Sequence, residues 1–77
     1  MGKMSARFVG KNLGMATSEV YNIWKEMGIV IKDGFGDWIL TDKGRNLGGK
    51  MSNGSILSVP IFDLDIIKKA MKNFIEK

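Results

Sequence analysis

The chain has no cysteine and no histidine among its 77 residues, and one proline. Without thiols there is no disulfide and no thiolate zinc site. Without imidazole, the commonest metal ligand and the base of Ser/His and Cys/His catalysis are both missing. Asp63 and Asp65 sit close together but have no third ligand nearby, so no metal is expected. No base, nucleophile or metal cluster converges anywhere, which makes an enzyme and a cofactor equally unexpected. No stretch approaches the roughly 20 apolar residues of a membrane-spanning helix, and no charged start followed by an apolar run marks a secretion signal. The expected compartment is the cytoplasm, with no membrane partner.

A core without staples must hold by packing alone. Near the lower size limit for such a core, the chain spends 44% of its residues on apolar side chains, two Trp and four Phe among them. One domain over residues 1–77 is expected. The formal net charge of +4 suits an anionic partner.

Ala6 to Met27 organises the rest. Val9, Gly10 and Leu13 share a face of one helix, and Val20, Ile23, Trp24 and Met27 form an i, i+3, i+4, i+7 stripe on the next. Gly14 stands between them, able to take the positive φ at which a helix stops and redirects. Ala16, Thr17 and Ser18 offer start signals for the second helix, Thr17 to Met27. Gly10, four residues before the turn, leaves room for that helix to approach. Any helical hairpin needs a glycine and two apolar faces, but this spacing also matches a DNA-binding helix-turn-helix. Opposite the apolar stripe fall Ser18, Tyr21, Asn22 and Lys25, side chains able to contact base edges or phosphates. Glu19 and Glu26 lie along one margin of that face.

Upstream, Met1 to Met4 is expected to fray and Ser5 to cap the first helix. Lys3, Arg7 and Lys11 recur every four residues, as either a solvated face or cations near a DNA backbone. Downstream, Gly28 is placed to end the second helix. Ile29 to Ile31 and Trp38 to Leu40 read as a β-hairpin, or wing, turning at Asp33 to Asp37. Its Gly-Phe-Gly lacks the following helix and lysine of a phosphate cradle, so it is read as a turn. Thr41 caps a short helical turn. Asn46 to Ser55 reads as a loop too poor in apolar residues to pack, made basic by Lys43, Arg45 and Lys50 and able to reach a phosphate. Ile56 to Phe62, interrupted by Pro60, is expected to be at most a short edge strand. Asp63 caps a final amphipathic helix, Leu64 to Ile75, with Leu64, Ile67, Ala70, Met71 and Phe74 inward and Lys68, Lys69 and Lys72 outside.

The expected fold is therefore mainly α with a small β-hairpin, a winged helix-turn-helix variant closed by a C-terminal helix. Its expected core is Val9, Leu13, Val20, Ile23, Trp24, Ile39, Ile67 and Phe74. The expected partner is duplex DNA, contacted by Thr17, Ser18, Tyr21, Asn22, Lys25, Arg7, Lys11, Lys43, Arg45 and Lys50, with a homodimer left open. A second class stays open beside it: a small protein-interaction module that reuses the fold to modulate another protein factor.

Ser-Ala-Arg-Phe-Val-Gly-Lys-Asn-Leu-Gly-Met at Ser5 to Met15, Tyr-Asn-Ile-Trp-Lys-Glu-Met-Gly-Ile at Tyr21 to Ile29 and Trp-Ile-Leu-Thr at Trp38 to Thr41 together resemble the KilAC-type DNA-binding domain of phage antirepressors. The resemblance covers roughly the first half of the chain. From Gly44 onward, Ser58-Val-Pro-Ile-Phe62 included, the sequence departs from that pattern. The resemblance implies a phage or prophage transcriptional regulator in a bacterial host cell. Because antirepressors carry a separate N-terminal domain, it implies either a regulator made of this module or the DNA-binding part of a larger one.

Overall fold

In a computed structural model of the chain, residues 3–52 and 58–76 are described. The elements run β1 (Lys3–Ser5), α1 (Ala6–Leu13), α2 (Thr17–Met27), β2 (Val30–Lys32), β3 (Trp38–Leu40), α3 (Asp42–Asn46), β4 (Lys50–Met51), β5 (Pro60–Asp63) and α4 (Leu64–Ile75). Among the described residues this makes four helices, a three-stranded antiparallel sheet in the order β1-β5-β4 and the separate hairpin β2-β3.

The two helices at the front follow from local signals. Gly14 ends α1 at φ 70 and donates its N–H to the Gly10 carbonyl, and Gly28 ends α2 at φ 80. Gly10 is needed because a Cβ there would stand 2.5 Å from the Met15 carbonyl oxygen and 3.4 Å from Val20 Cγ2. At the start of α2 the capping comes from Glu19, whose carboxylate accepts the Ala16 N–H at 3.2 Å, and not from a hydroxyl. Thr41 and Asp63 cap as their positions predict. The Thr41 hydroxyl accepts from the Gly44 N–H at 3.1 Å and donates to the Gly28 carbonyl at 2.6 Å; Asp63 accepts from the Asp65 N–H at 3.1 Å.

Trp24 stands at the centre of the core, fully buried with Ala6, Val9, Val20, Val30, Phe62 and Ile67. Its ring meets Phe62 edge-on at 4.8 Å, and its indole N–H donates to the Met71 sulfur at 3.3 Å. Met71 and Ile67 come from α4, which thus closes the core as its apolar stripe predicts. Leu13, Ile23 and Phe74 pack against this centre half-buried.

Five expectations are corrected. Met4 does not fray with the start of the chain: Lys3, Met4 and Ser5 pair with Asp63, Phe62 and Ile61. Ser5 holds the cap position of α1 but makes no side-chain cap bond, being the last residue of that strand. The segment at Pro60 is not an edge, because β5 lies between β1 and β4. Pro60 is tolerated as its first residue: it stands opposite Met51 of β4, while the register of β1 ends at Ile61, so no β1 partner needs the missing N–H.

The stretch from Asn46 is not wholly irregular, since Lys50 and Met51 pair with Ile61 and Pro60. Residues 53–57 of that expected loop and strand lie outside the described residues. Ile39 does not join the core. Val30 and Leu40 face each other across the hairpin and are buried, so the pleat turns the next pair, Ile31 and Ile39, to the other face, with Ile31 exposed.

Candidate nucleic-acid interface

Helix α2 is held by its buried stripe of Val20, Trp24 and Met27. Burial of that stripe leaves Thr17, Ser18, Asn22 and Lys25 exposed. Ser18, Asn22 and Lys25 are spaced four and three residues apart, so they form one outward line along the helix. Thr17 is its first residue.

Tyr21 is placed differently from the other three. Half-buried, it stacks on Trp38 of β3 with ring centroids 4.8 Å apart and an interplanar angle of 4°, and meets Trp24 edge-on at 5.8 Å. Desolvation by this packing raises the phenol pKa above its ordinary 10.0. Tyr21 thus docks the hairpin against the flank of α2. The opposite flank carries the exposed Glu19 and Glu26. Glu26 and Lys43 line an open groove of about 520 Å³ between the end of α2, α3 and α4, floored by Met27, Ile29 and Phe74.

The expected cations are all exposed but lie on different elements. Arg7 and Lys11 are on α1, and the Lys11 ammonium sits 5.8 Å from the Phe8 ring centre. Lys43 and Arg45 are on α3 and Lys50 is on β4. Arg45 pairs with Asp42 at 3.3 Å, an exposed i, i+3 ion pair that opens at little cost.

One basic group at this surface was not singled out by sequence reasoning. Lys32 is the cross-strand partner of Trp38, and its ammonium lies 5.2 Å from the Trp38 ring centre, extending the aromatic stack of Tyr21 and Trp38. The usable signal was positional, for Lys32 and Trp38 immediately flank the turn Asp33 to Asp37 and must face each other once it closes.

Among the described residues, no group of three acidic, histidine or cysteine side chains is gathered closely enough to hold a metal ion. Among the same residues, no helix is long and apolar enough to cross a membrane. No protein-family model, curated protein or solved structure matches the chain.

Proposed function

We propose that the protein is a sequence-specific duplex-DNA-binding protein, a phage or prophage transcriptional regulator of the antirepressor-like winged-helix kind. The observation that carries this reading is the outward line of Ser18, Asn22 and Lys25. It stands on a helix fixed against α1 by the left-handed Gly14 turn and the close approach at Gly10. Asn22 bonds adenine bidentately, Lys25 bonds guanine or a phosphate, and Ser18 near the helix start bonds either a base or a phosphate. Lys11, Lys25, Lys43, Arg45 and Lys50 supply backbone contacts, with Arg7 beside them on α1. The hairpin stem brings Lys32 to the same side as Tyr21, whereas its tip carries the carboxylates Asp33 and Asp37 and contributes no cation. Selection of a binding site from random duplexes, followed by titration against salt, tests the reading. With about four phosphates neutralised, log K falls with log salt at a slope of about −3 to −4.

A second reading is favoured by one specific observation. Glu19 and Glu26 are both exposed on α2, against Lys25 as that helix's basic residue. A surface of that sign suits a protein partner better than a phosphate backbone. Absence of duplex binding at about 50 mM salt puts this reading ahead, because electrostatic binding is strongest at low salt.

A further inference from the structure

The most exposed large apolar side chain among the described residues is Phe35, 93% accessible at the tip of the β2-β3 hairpin. An isolated exposed apolar residue is ordinary, but this one is held out by a built turn. One oxygen of the Asp33 carboxylate accepts the Phe35 N–H at 2.8 Å and the Asp37 N–H at 3.0 Å. The backbone closes below it, Asp33 N–H donating to the Asp37 carbonyl at 2.8 Å and Gly36 N–H to the Asp33 carbonyl at 3.1 Å. Gly34 and Gly36 on either side have no side chains, so the phenyl ring stands alone. The backbone that carries the ring is thus already ordered, so binding would not have to order the turn. Asp33 and Asp37 make the tip acidic around an apolar point.

A complementary feature lies elsewhere on the same chain. Between the α1–α2 turn and α4 is an open groove of about 290 Å³ walled by Leu13, Met15, Met71 and Ile75. Ile75 is 59% exposed there. The rim carries Lys68 and Lys72, with Glu76 at the end. Neither lysine has an ion-pair partner among the described residues. The groove is roomier than a benzyl side chain and basic where the tip is acidic. The other groove lacks this match, since its rim sets Glu26 against Lys43.

We propose that the chain self-associates by inserting Phe35 of one copy into the Leu13–Met15–Ile75 groove of another, with Asp37 meeting Lys68 and Lys72. Each copy carries one tip and one groove, so the contact is either reciprocal in a two-fold pair or repeated head to tail. An aromatic anchor in an apolar pocket with an oppositely charged rim is a weak, specific contact of small area. The proposal does not rest on DNA binding, because Ser18, Asn22 and Lys25 belong to neither surface.

Sedimentation equilibrium of the whole chain tests it. The weight-average mass is expected to rise above the protomer mass between about 50 μM and 1 mM, and to rise less in high salt. Phe35→Ser, at a position with no packing role, and Lys68→Glu/Lys72→Glu, at two exposed positions, each remain monomeric. An equimolar mixture of these two variants regains association, because one supplies the tip and the other the groove. In the parent, the methyl resonances of Met15 and Met71 shift with concentration, and in Phe35→Ser they do not. A parent monomeric throughout, a Phe35→Ser variant that associates like the parent, or a mixture that stays monomeric overturns the proposal. A monomeric parent whose duplex binding weakens with Phe35→Ser also overturns it, and assigns the tip to DNA.

Discussion

The Tyr21 and Trp38 rings lie nearly parallel, 4.8 Å apart, and tie the hairpin to one flank of α2, leaving Asn22 and Lys25 exposed. An aromatic pair of this kind contributes about 0.5–1.5 kcal/mol beyond its buried area. A double-mutant cycle with Tyr21→Ala and Trp38→Ala is expected to return a coupling of that size in denaturant unfolding. Additive effects of the two substitutions would mean that the hairpin is held by other contacts.

The same burial makes Tyr21 a pH reporter. Its folded pKa is raised above the ordinary 10.0, so the neutral phenol is favoured in the folded state. That contribution is fully present below the unfolded pKa. It is lost as pH rises from there through the folded pKa, because the unfolded chain releases its proton first. Tyr21 is the chain's one tyrosine, so near-ultraviolet phenolate absorbance reads this group alone. The expected folded titration midpoint lies above 10.0, and in denaturant it returns to the ordinary value. A folded midpoint at or below the denatured one would show Tyr21 solvated and the stack absent.

Trp24→Ala removes the centre of the core. Large-to-small changes at such a site cost about 3–5 kcal/mol. A chain of this length has a total stability of about 4–12 kcal/mol, so the variant loses a large share of it. Met71→Leu keeps the volume but leaves the indole N–H without its sulfur acceptor, costing about 1–2 kcal/mol. Urea midpoints of both variants check the ordering. A Trp24→Ala protein that unfolds with the parent would refute the packing of α1, α2 and α4 around this residue.

Gly10 and Gly14, four residues apart at the α1–α2 turn, are expected to fail differently when replaced. At Gly10 a new Cβ meets the Met15 carbonyl oxygen at 2.5 Å, so the α1–α2 contact must open, at about 1–3 kcal/mol. At Gly14 there is open space, and the cost is the left-handed backbone alone, about 1–2 kcal/mol. Gly14→Asn, suited to that conformation, is therefore expected to recover much of the loss at position 14, whereas no residue larger than glycine recovers position 10. Thermal unfolding of Gly10→Ala, Gly14→Ala and Gly14→Asn distinguishes the two causes.

Much of this fold was legible because it is local. The boundaries of α1, α2 and α4, the left-handed glycines at 14 and 28, and the caps at Thr41 and Asp63 depend on neighbours within a turn of helix. The three-stranded sheet was not legible, for β1 finds its partner β5 across most of the chain and Lys3-Met4-Ser5 has no strand pattern of its own. Phe62 entered the core with that pairing, and no local period announces it. The hairpin face was ambiguous because Ile29, Val30 and Ile31 are all apolar, and a one-residue shift exchanges inside for outside. Helical geometry put Ser18, Asn22 and Lys25 outward. It also put Tyr21 there, and could not foresee that Trp38 would cover that flank.

The central claim is that α2 reads DNA sequence through its outward line, and Asn22 tests it most directly. On a duplex obtained by binding-site selection, Asn22→Ala is expected to cost about 1–3 kcal/mol, and on random duplex almost nothing. Lys43→Ala and Lys50→Ala, at the proposed phosphate contacts, are expected to weaken both duplexes alike. Fluorescence titration of the parent and these variants against the selected and random duplexes is the measurement. Loss at Asn22→Ala confined to the selected duplex is the predicted result; equal loss on both duplexes, or on neither, would contradict the assignment of α2 as the reading helix.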